Sequence, residues 1–248
     1  MVLKSYAKIN LTLKVNKKSK NSLHELQSIY CLINKFDTIY IKKIEKKKSD
    51  KIFFKGPYSK YIIQSKNSVK TILSLLRNYK LISNNYYIKI HKRIPVFGGL
   101  GGGTSNAAVI FQHLIKKKIK KELFEKISEG IGSDFLLFFH HQGYLKDLKT
   151  VIKFKQKHQL YFLLIYPKIK CRTNEIYSQV KKFSKKKKLL VKSLKSKKNF
   201  KNYLINSDND LQSIVEKKYP IIKDILKSIR KERGCCFSRM TGSGSVCY

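Results

Sequence analysis

Pro95-Val96-Phe97-Gly98-Gly99-Leu100-Gly101-Gly102-Gly103-Thr104-Ser105-Asn106-Ala107-Ala108 holds five of the chain's twelve glycines. Ahead of it, Tyr86 to His91 alternates in the manner of a strand. Behind it, Ala107, Ala108, Phe111, Leu114 and Ile115 recur at helical spacing. A glycine-rich turn between a strand and a helix aims successive backbone N–H groups into one concavity. The helix N-terminus adds partial positive charge, so the expected guest is a phosphate. Glycine suits such a turn because a side chain would hold the phosphate off the backbone and because left-handed φ values are common there. Thr104, Ser105 and Asn106 are expected to cap the helix and to offer hydroxyls to phosphate or its metal. No Gly-Lys-Ser/Thr follows, so this is not a Walker A loop.

The 248 residues suffice for one large domain or two small ones, and 42% hydrophobic content fits a globular chain. The net charge of +40 raises the question of a polyanionic partner. Only six of the 55 basic residues are Arg, the type favoured for base and bidentate phosphate contacts. The lysines are scattered and accompanied by abundant Ile, Asn and Tyr. The composition therefore reads as drift, with weak, salt-sensitive polyanion binding as a side effect and no specific nucleic-acid partner. Five cysteines without a Cys-x-x-Cys point to free thiols in a reducing cytoplasm. No signal peptide or membrane-spanning run is expected, so neither is a membrane partner.

Several other stretches carry chemistry. Ile9, Leu11, Leu13 and Val15 alternate with Lys8, Asn10, Thr12 and Lys14, which predicts a strand with one buried and one polar face. Phe36 to Ile44 and Leu160 to Tyr166 read as further strands, and Glu45 to Lys51 as a charged turn. Asn67 to Tyr79 reads as a helix, with Val69, Ile72, Leu73 and Leu76 on one face. Asp134 sits at a glycine-containing turn before the apolar run Phe135 to Phe139, where a helix cap and a reactive carboxylate both fit. Thr173 and Tyr177 are four apart and would share a helix face. Lys181 to Lys198 is Lys-rich, of low complexity, and reads as a solvated or partly disordered excursion.

The glycine loop resembles motif 2 of the GHMP kinase superfamily, Pro-x-x-x-Gly-Leu-Gly-Gly-Gly-Ser/Thr-Ser-Asn-Ala-Ala, in the form of its 4-diphosphocytidyl-2-C-methyl-D-erythritol kinase branch. Ala7-Lys8-Ile9-Asn10-Leu11 resembles motif 1, and Met240-Thr241-Gly242-Ser243-Gly244 resembles motif 3. Leu23-His24-Glu25-Leu26-Gln27-Ser28 is similar to the branch's Tyr-His-x-Leu-x-Ser/Thr, with Leu23 where the branch has Tyr. Gly132-Ser133-Asp134 is similar to its Gly-Ala/Ser-Asp, though Phe135-Leu136 replaces Val-Pro.

The resemblance implies an α+β fold of two lobes, each of two layers, with the active site between them. The lobes would span residues 1–158, which bind ATP, and 159–248. The second would be short at its C-terminus, leaving sheet edge and core exposed. It implies ATP-dependent phosphorylation of the 2-hydroxyl of 4-diphosphocytidyl-2-C-methyl-D-erythritol in a bacterial cytoplasm, by a monomer or homodimer. Lys8 and Asp134 would be catalytic. Pro95 through Ser105 would hold the phosphates of ATP with Mg2+, and Asn67 and Lys92 would lie near the adenine. Asn10, His24, Thr173, Tyr177, Gly242, Ser243 and Gly244 would hold the substrate. Two other readings remain: a GHMP kinase acting on homoserine or mevalonate, and a decayed kinase fold that binds polyanions. ATP turnover with a panel of acceptors separates all three.

Restoring an aromatic at position 23 tests the substrate reading. Base–aromatic stacking is worth about 1–3 kcal/mol, so Leu23→Tyr is expected to lower the KM for the cytidine-bearing acceptor about tenfold. An unchanged KM refutes a cytosine clamp at this position.

Overall fold

The computed structural model describes residues 1–18, 24–45 and 49–248. Leu23 lies outside the described residues, as does the middle of the charged turn expected at 45–51. The fold is α+β. Among the described residues it comprises seven strands, β1 (Val2–Asn10), β2 (Lys14–Lys18), β3 (His24–Ile44), β4 (Lys51–Lys55), β5 (Asn85–His91), β6 (Gln142–Asp147) and β7 (Thr150–Lys153). The helices are α1 (Ser68–Asn78), α2 (Gly102–Leu114), α3 (Lys121–Ile131), α4 (Thr173–Ser178), α5 (Lys197–Ile205), α6 (Gln212–Lys218) and α7 (Ile221–Lys231).

The chain forms two compact units that interleave in sequence. One comprises Met1–Lys8, Leu32–Val96 and Gly101–Phe139; the other comprises Ile9–Cys31, Phe97–Leu100 and His140–Tyr248. A single cut near residue 158 does not draw this division, because β1 and the 21-residue β3 each belong partly to both units.

In the first unit β5 pairs antiparallel with β3 (Ile39↔Ile90, Ile41↔Ile88) and parallel with β4. Alternation along β5 turns Tyr86, Ile88 and Ile90 inward, where α1, α2 and α3 cover them. α1 buries Val69, Ile72, Leu73 and Leu76, as its periodicity predicts. Asn67 caps it, its side-chain oxygen accepting from the N–H groups of Val69 and Lys70. α2 is buried over most of its circumference, because Ala107 and Ala108 let it lie close against the sheet and Phe111 packs edge-on to Phe135. A 3-10 turn, Phe135–Phe139, closes this core with Phe135 fully buried.

In the second unit the first part of β3 pairs with β2 (Val15↔Leu26) and with β6 (Ile29↔Tyr144), and β6 pairs with β7. The strand expected to run through residues 9–15 is interrupted. β1 ends at Asn10, and the N–H groups of Leu11 and Thr12 both donate to the Ile29 carbonyl. Side chains complete the junction: Ser28 Oγ donates to the Thr12 carbonyl, and Thr12 Oγ1 accepts from the Ile29 N–H. Its polar face is not solvated either, since Lys8, Asn10 and Thr12 are all buried. Leu160 to Tyr166 is not a strand. It makes one bridge, Ile165 to Cys247, while Tyr161 and Leu163 face solvent.

The Lys-rich stretch is largely exposed, as its composition suggests, yet it is anchored. Its Ser184 N–H donates to the Val15 carbonyl, its Lys187 N–H donates to Gln27 Oε1, and Gln27 Nε2 returns a bond to the Lys187 carbonyl. Further on, Leu194 is buried and Ser196 caps α5. Lysine composition hides this strap because its anchoring is through backbone, which any residue supplies.

All five cysteines are free thiols. Burial pushes Cys31 and Cys247 up to about 12 and Cys171 up to about 11, whereas Cys236 is exposed. Thiolate is the reactive form. A disulfide reagent at pH 8 is therefore expected to label Cys236 first in the folded protein. Cys31, Cys171 and Cys247 should react only after denaturation; peptide mapping that finds Cys31 labelled natively contradicts this packing.

Candidate active site

The glycine loop feeds α2. Gly101, at φ +66°, is the residue before the helix and no side chain caps it. Thr104, Ser105 and Asn106 are therefore inside the helix rather than capping it. The Ser105 N–H is already bonded to the Gly101 carbonyl. The N–H groups of Gly102, Gly103 and Thr104 precede the helical ladder and have no partner within it. They point out of the N-terminus of a 13-residue helix, the setting that favours an anion.

Lys8 and Asp134 meet at this place. Lys8 Nζ lies 3.0 Å from Asp134 Oδ2; the lysine side chain is 3% exposed and the carboxylate 30%. A Cβ at Gly101 would stand 3.3 Å from the Lys8 side chain and 2.8 Å from the Phe138 ring. Glycine at 101 thus lets the lysine stem pass against the loop backbone. β1 delivers Lys8, and the turn before Phe135 delivers Asp134.

Behind the helix start lies a buried polar network that the sequence did not disclose. Asp37, fully buried on β3, accepts at Oδ1 from the N–H groups of Arg93 and Ile94 (2.7 and 2.9 Å). Its Oδ2 accepts from Lys92 Nζ and from Asn106 Nδ2. Lys92 also donates to Asn106 Oδ1, and Asn106 donates to Ser5 Oγ. Ser5 in turn donates to Ser105 Oγ, which donates to the Tyr6 carbonyl. Burial lowers the Lys92 ammonium's affinity for its proton, and Asp37 opposes that fall. Lys92 is 1% exposed. Asn67 lies one residue before Ser68, whose hydroxyl donates to the Gly103 carbonyl.

In the second unit the loop residues 97–100 lie against the second glycine loop. A Cβ on Gly99 would fall 2.2 Å from the Thr241 carbonyl oxygen, so only glycine lets the two backbones meet. The Val246 N–H donates to the Gly98 carbonyl. Phe97 has φ +62°, a strained value for a side-chain-bearing residue, and is 37% exposed. Asn209 holds the second loop by donating to the Met240 and Gly242 carbonyls. Asn10 donates to Ser28 Oγ, and its N–H donates to Thr241 Oγ1. Thr173 and Ser243 share a hydroxyl contact at 3.2 Å. His24 and Tyr177 form a ring pair 5.0 Å apart. The predicted residues thus fall into separate clusters: Lys8, Asp134 and Gly101 in the first unit; Asn10, Gly99 and Thr241 to Gly244 with Thr173 in the second; and His24 with Tyr177, also in the second.

Comparison with known proteins names this combination. The model of the GHMP kinase N-terminal domain matches residues 67–135, and that of the GHMP kinase C-terminal domain matches residues 190–248. The 4-diphosphocytidyl-2-C-methyl-D-erythritol kinase of Pelagibacter ubique is 39% identical, over 98% of this chain and 86% of that protein. The chain belongs to the GHMP kinases, in the 4-diphosphocytidyl-2-C-methyl-D-erythritol kinase family. Its relative of the same name in Ureaplasma parvum is 32% identical, over 90% of this chain and 86% of that protein. A crystal structure of 4-(cytidine 5'-diphospho)-2C-methyl-D-erythritol kinase superposes with a TM-score of 0.67 at 22% identity, covering all of this chain and 88% of that one. Homoserine kinase from Cytophaga hutchinsonii superposes equally well, at 0.68 and 16% identity, covering all of this chain and 83% of that one. Backbone shape alone therefore establishes the GHMP fold and does not select an acceptor; the closer sequence identities identify this family. The chain is a small-molecule kinase.

Asp37 tests the support beneath the loop. Removing one member of a buried ion pair costs about 3–5 kcal/mol. Asp37→Asn is expected to lower the unfolding free energy measured in urea by that amount. An Asp37→Asn variant as stable as the parent would show that the network bears no weight.

Proposed function

We propose that this kinase transfers the γ-phosphoryl group of ATP to the 2-hydroxyl of 4-diphosphocytidyl-2-C-methyl-D-erythritol, giving the 2-phosphate and ADP. The observation that carries the reading is the Lys8–Asp134 ion pair beside Gly101, at the open end of α2. The acceptor is supported by the names of the relatives at 39% and 32% identity.

Phosphoryl transfer asks for positioning and charge stabilisation more than covalent catalysis. The N–H groups of Gly102, Gly103 and Thr104 bind the phosphates, with the Gly98–Leu100 backbone completing the loop. The open N–H groups at the start of a 13-residue helix suit phosphate oxygens. Magnesium requires few protein ligands when phosphate oxygens and water supply the rest; the Thr104 hydroxyl would hold it, and its charge would offset that of the phosphates. Asp134 accepts the proton of the attacking hydroxyl. Lys8, donating to that carboxylate, supplies positive charge where negative charge develops on the transferring group. Asn10 and Thr173 hold the methylerythritol, and His24 with Tyr177 holds the cytosine. Lys92, expected beside the adenine, is instead buried and reaches the loop through Asn106 and Asp37; Asn67, the cap of α1, would lie near the adenine. Among the described residues no helix is long and apolar enough to cross a membrane, and a cytoplasmic setting is proposed for a chain whose cysteines are all free.

Asp134→Asn is expected to lower kcat about 10²–10⁴-fold with little change in the KM for ATP, and Lys8→Met to be similarly damaging. An Asp134→Asn enzyme that turns over at the parent rate removes this carboxylate from proton transfer.

A further inference from the structure

The helices of the first unit cover one face of its sheet and leave the other open. On the open face β3, β5 and β4 lie side by side, and their registers set a pattern. Lys42 is opposite Tyr87, which is opposite Lys51; Tyr40 is opposite Lys89, which is opposite Phe53. Rings and lysines therefore alternate both along the strands and across them. Tyr87 sits between the other two rings, 6.2 Å from Tyr40 and 5.4 Å from Phe53. Tyr40 is 38% exposed and Phe53 46%, and the three lysines are exposed. Their neighbours in sequence, Ile41, Ile88 and Ile52, pack into the core and so fix which residues face outward. Cross-strand ring pairs stabilise a sheet by about 0.2–1 kcal/mol each, which accounts for the rings being adjacent. It does not account for the charge. Among the described residues no Asp or Glu occupies an outward position on β4, β5 or the part of β3 beside them. Asp50, the acid just ahead of β4, is held by two bonds from Arg77 on α1.

We infer that this face is a second binding site, which holds single-stranded nucleic acid with little regard to its sequence. None of its six residues enters the phosphoryl transfer proposed above. Exposed rings on a sheet stack on unpaired bases, and lysines between them meet the phosphates as point charges. The net charge of +40 attracts any polyanion; the rings are what select a strand whose base faces are free. Scattered in sequence, these lysines are gathered only by strand pairing. Two other occupants suit the face less well. A membrane-binding surface segregates an apolar side from a charged one, whereas rings and charges here are interleaved. A second copy of the chain would bring lysines against lysines.

Fluorescence anisotropy with labelled oligouridylate tests this. The full chain is expected to bind it more tightly than an RNA duplex of the same length, although the duplex carries more charge. Phe53→Ala and Tyr87→Ala should each weaken single-strand binding about 5- to 150-fold, the range for loss of one stacked base. Duplex binding and the kinase kcat should stay at the parent level. Lys89→Gln should lower the slope of log affinity against log salt by about 0.7 for the single strand. The chain contains no tryptophan, so Phe53→Trp supplies a single reporter that keeps the ring, and oligouridylate should quench its emission saturably. Parent affinity in both alanine variants overturns the inference, as does tryptophan emission that ignores oligouridylate. A duplex bound as tightly as the single strand overturns it too, because charge alone would do that. Quenching by phosphatidylserine vesicles and not by oligouridylate would assign the face to a membrane. A dimer in sedimentation that Phe53→Ala dissociates would assign it to a second copy. Either result overturns the inference. None of these outcomes alters what Asp134→Asn reports, so the kinase reading and this one fail separately.

Discussion

A carboxylate shut away from solvent organises the first unit of this kinase. Asp37 receives four hydrogen bonds, two from backbone and two from side chains, and each donor belongs to a segment that the loop needs. Arg93 and Ile94 form the approach to the loop, and Asn106 sits in the second turn of α2. A buried charge is tolerable only when its lone pairs are occupied. That requirement binds the approach and the helix to one point on β3. The ends of the loop between them are thus held by groups outside it.

The same logic divides labour around the glycines. Positions 99 and 101 are glycine for different reasons. At 99 a methyl group would collide with the Thr241 carbonyl; at 101 it would press on Phe138 and the Lys8 stem. One glycine admits a neighbouring backbone, and the other admits the stem of Lys8. Asn209 performs for the second glycine loop what Asp37 performs for the first, since its amide is spent on two loop carbonyls. In both cases a buried polar side chain removes the loop's freedom without occupying the face that meets a ligand.

Phosphoryl transfer benefits from this arrangement because its electrostatic groups must be in place before the reaction. Lys8 is almost wholly buried while Asp134 remains partly open. The lysine is therefore the enclosed partner of the pair and the carboxylate the one open to solvent. The position of β1, with Lys8 and Asn10 both buried, accounts for two polar residues in a stretch that otherwise reads as core.

Much of this was legible in the sequence. The glycine turn between a strand and a helix, the helix expected at 67–79, the strand through Tyr86 and Ile88, and the pairing of Lys8 with Asp134 follow from residue types, local periodicity and motif resemblance. Periodicity and capping are local, since hydrogen bonds and faces repeat within a few residues. What sequence could not disclose depends on partners far along the chain. Asp37 appears as one more acid in a strand, and nothing nearby marks it as the anchor of residues 92 to 94 and 106. The break after Asn10 arises from hydroxyls at 12 and 28 that take over the ladder. The Lys-rich strap looked unstructured because backbone hydrogen bonds to β2 and β3, which no side-chain pattern encodes, hold it down. Chain-local chemistry thus determined the glycine turn and the helix start at which phosphate binding is proposed. Only tertiary contact decided which buried charge holds that grip rigid and which aromatic rings stand beside His24, because both rest on residues brought together across tens to more than a hundred positions of chain.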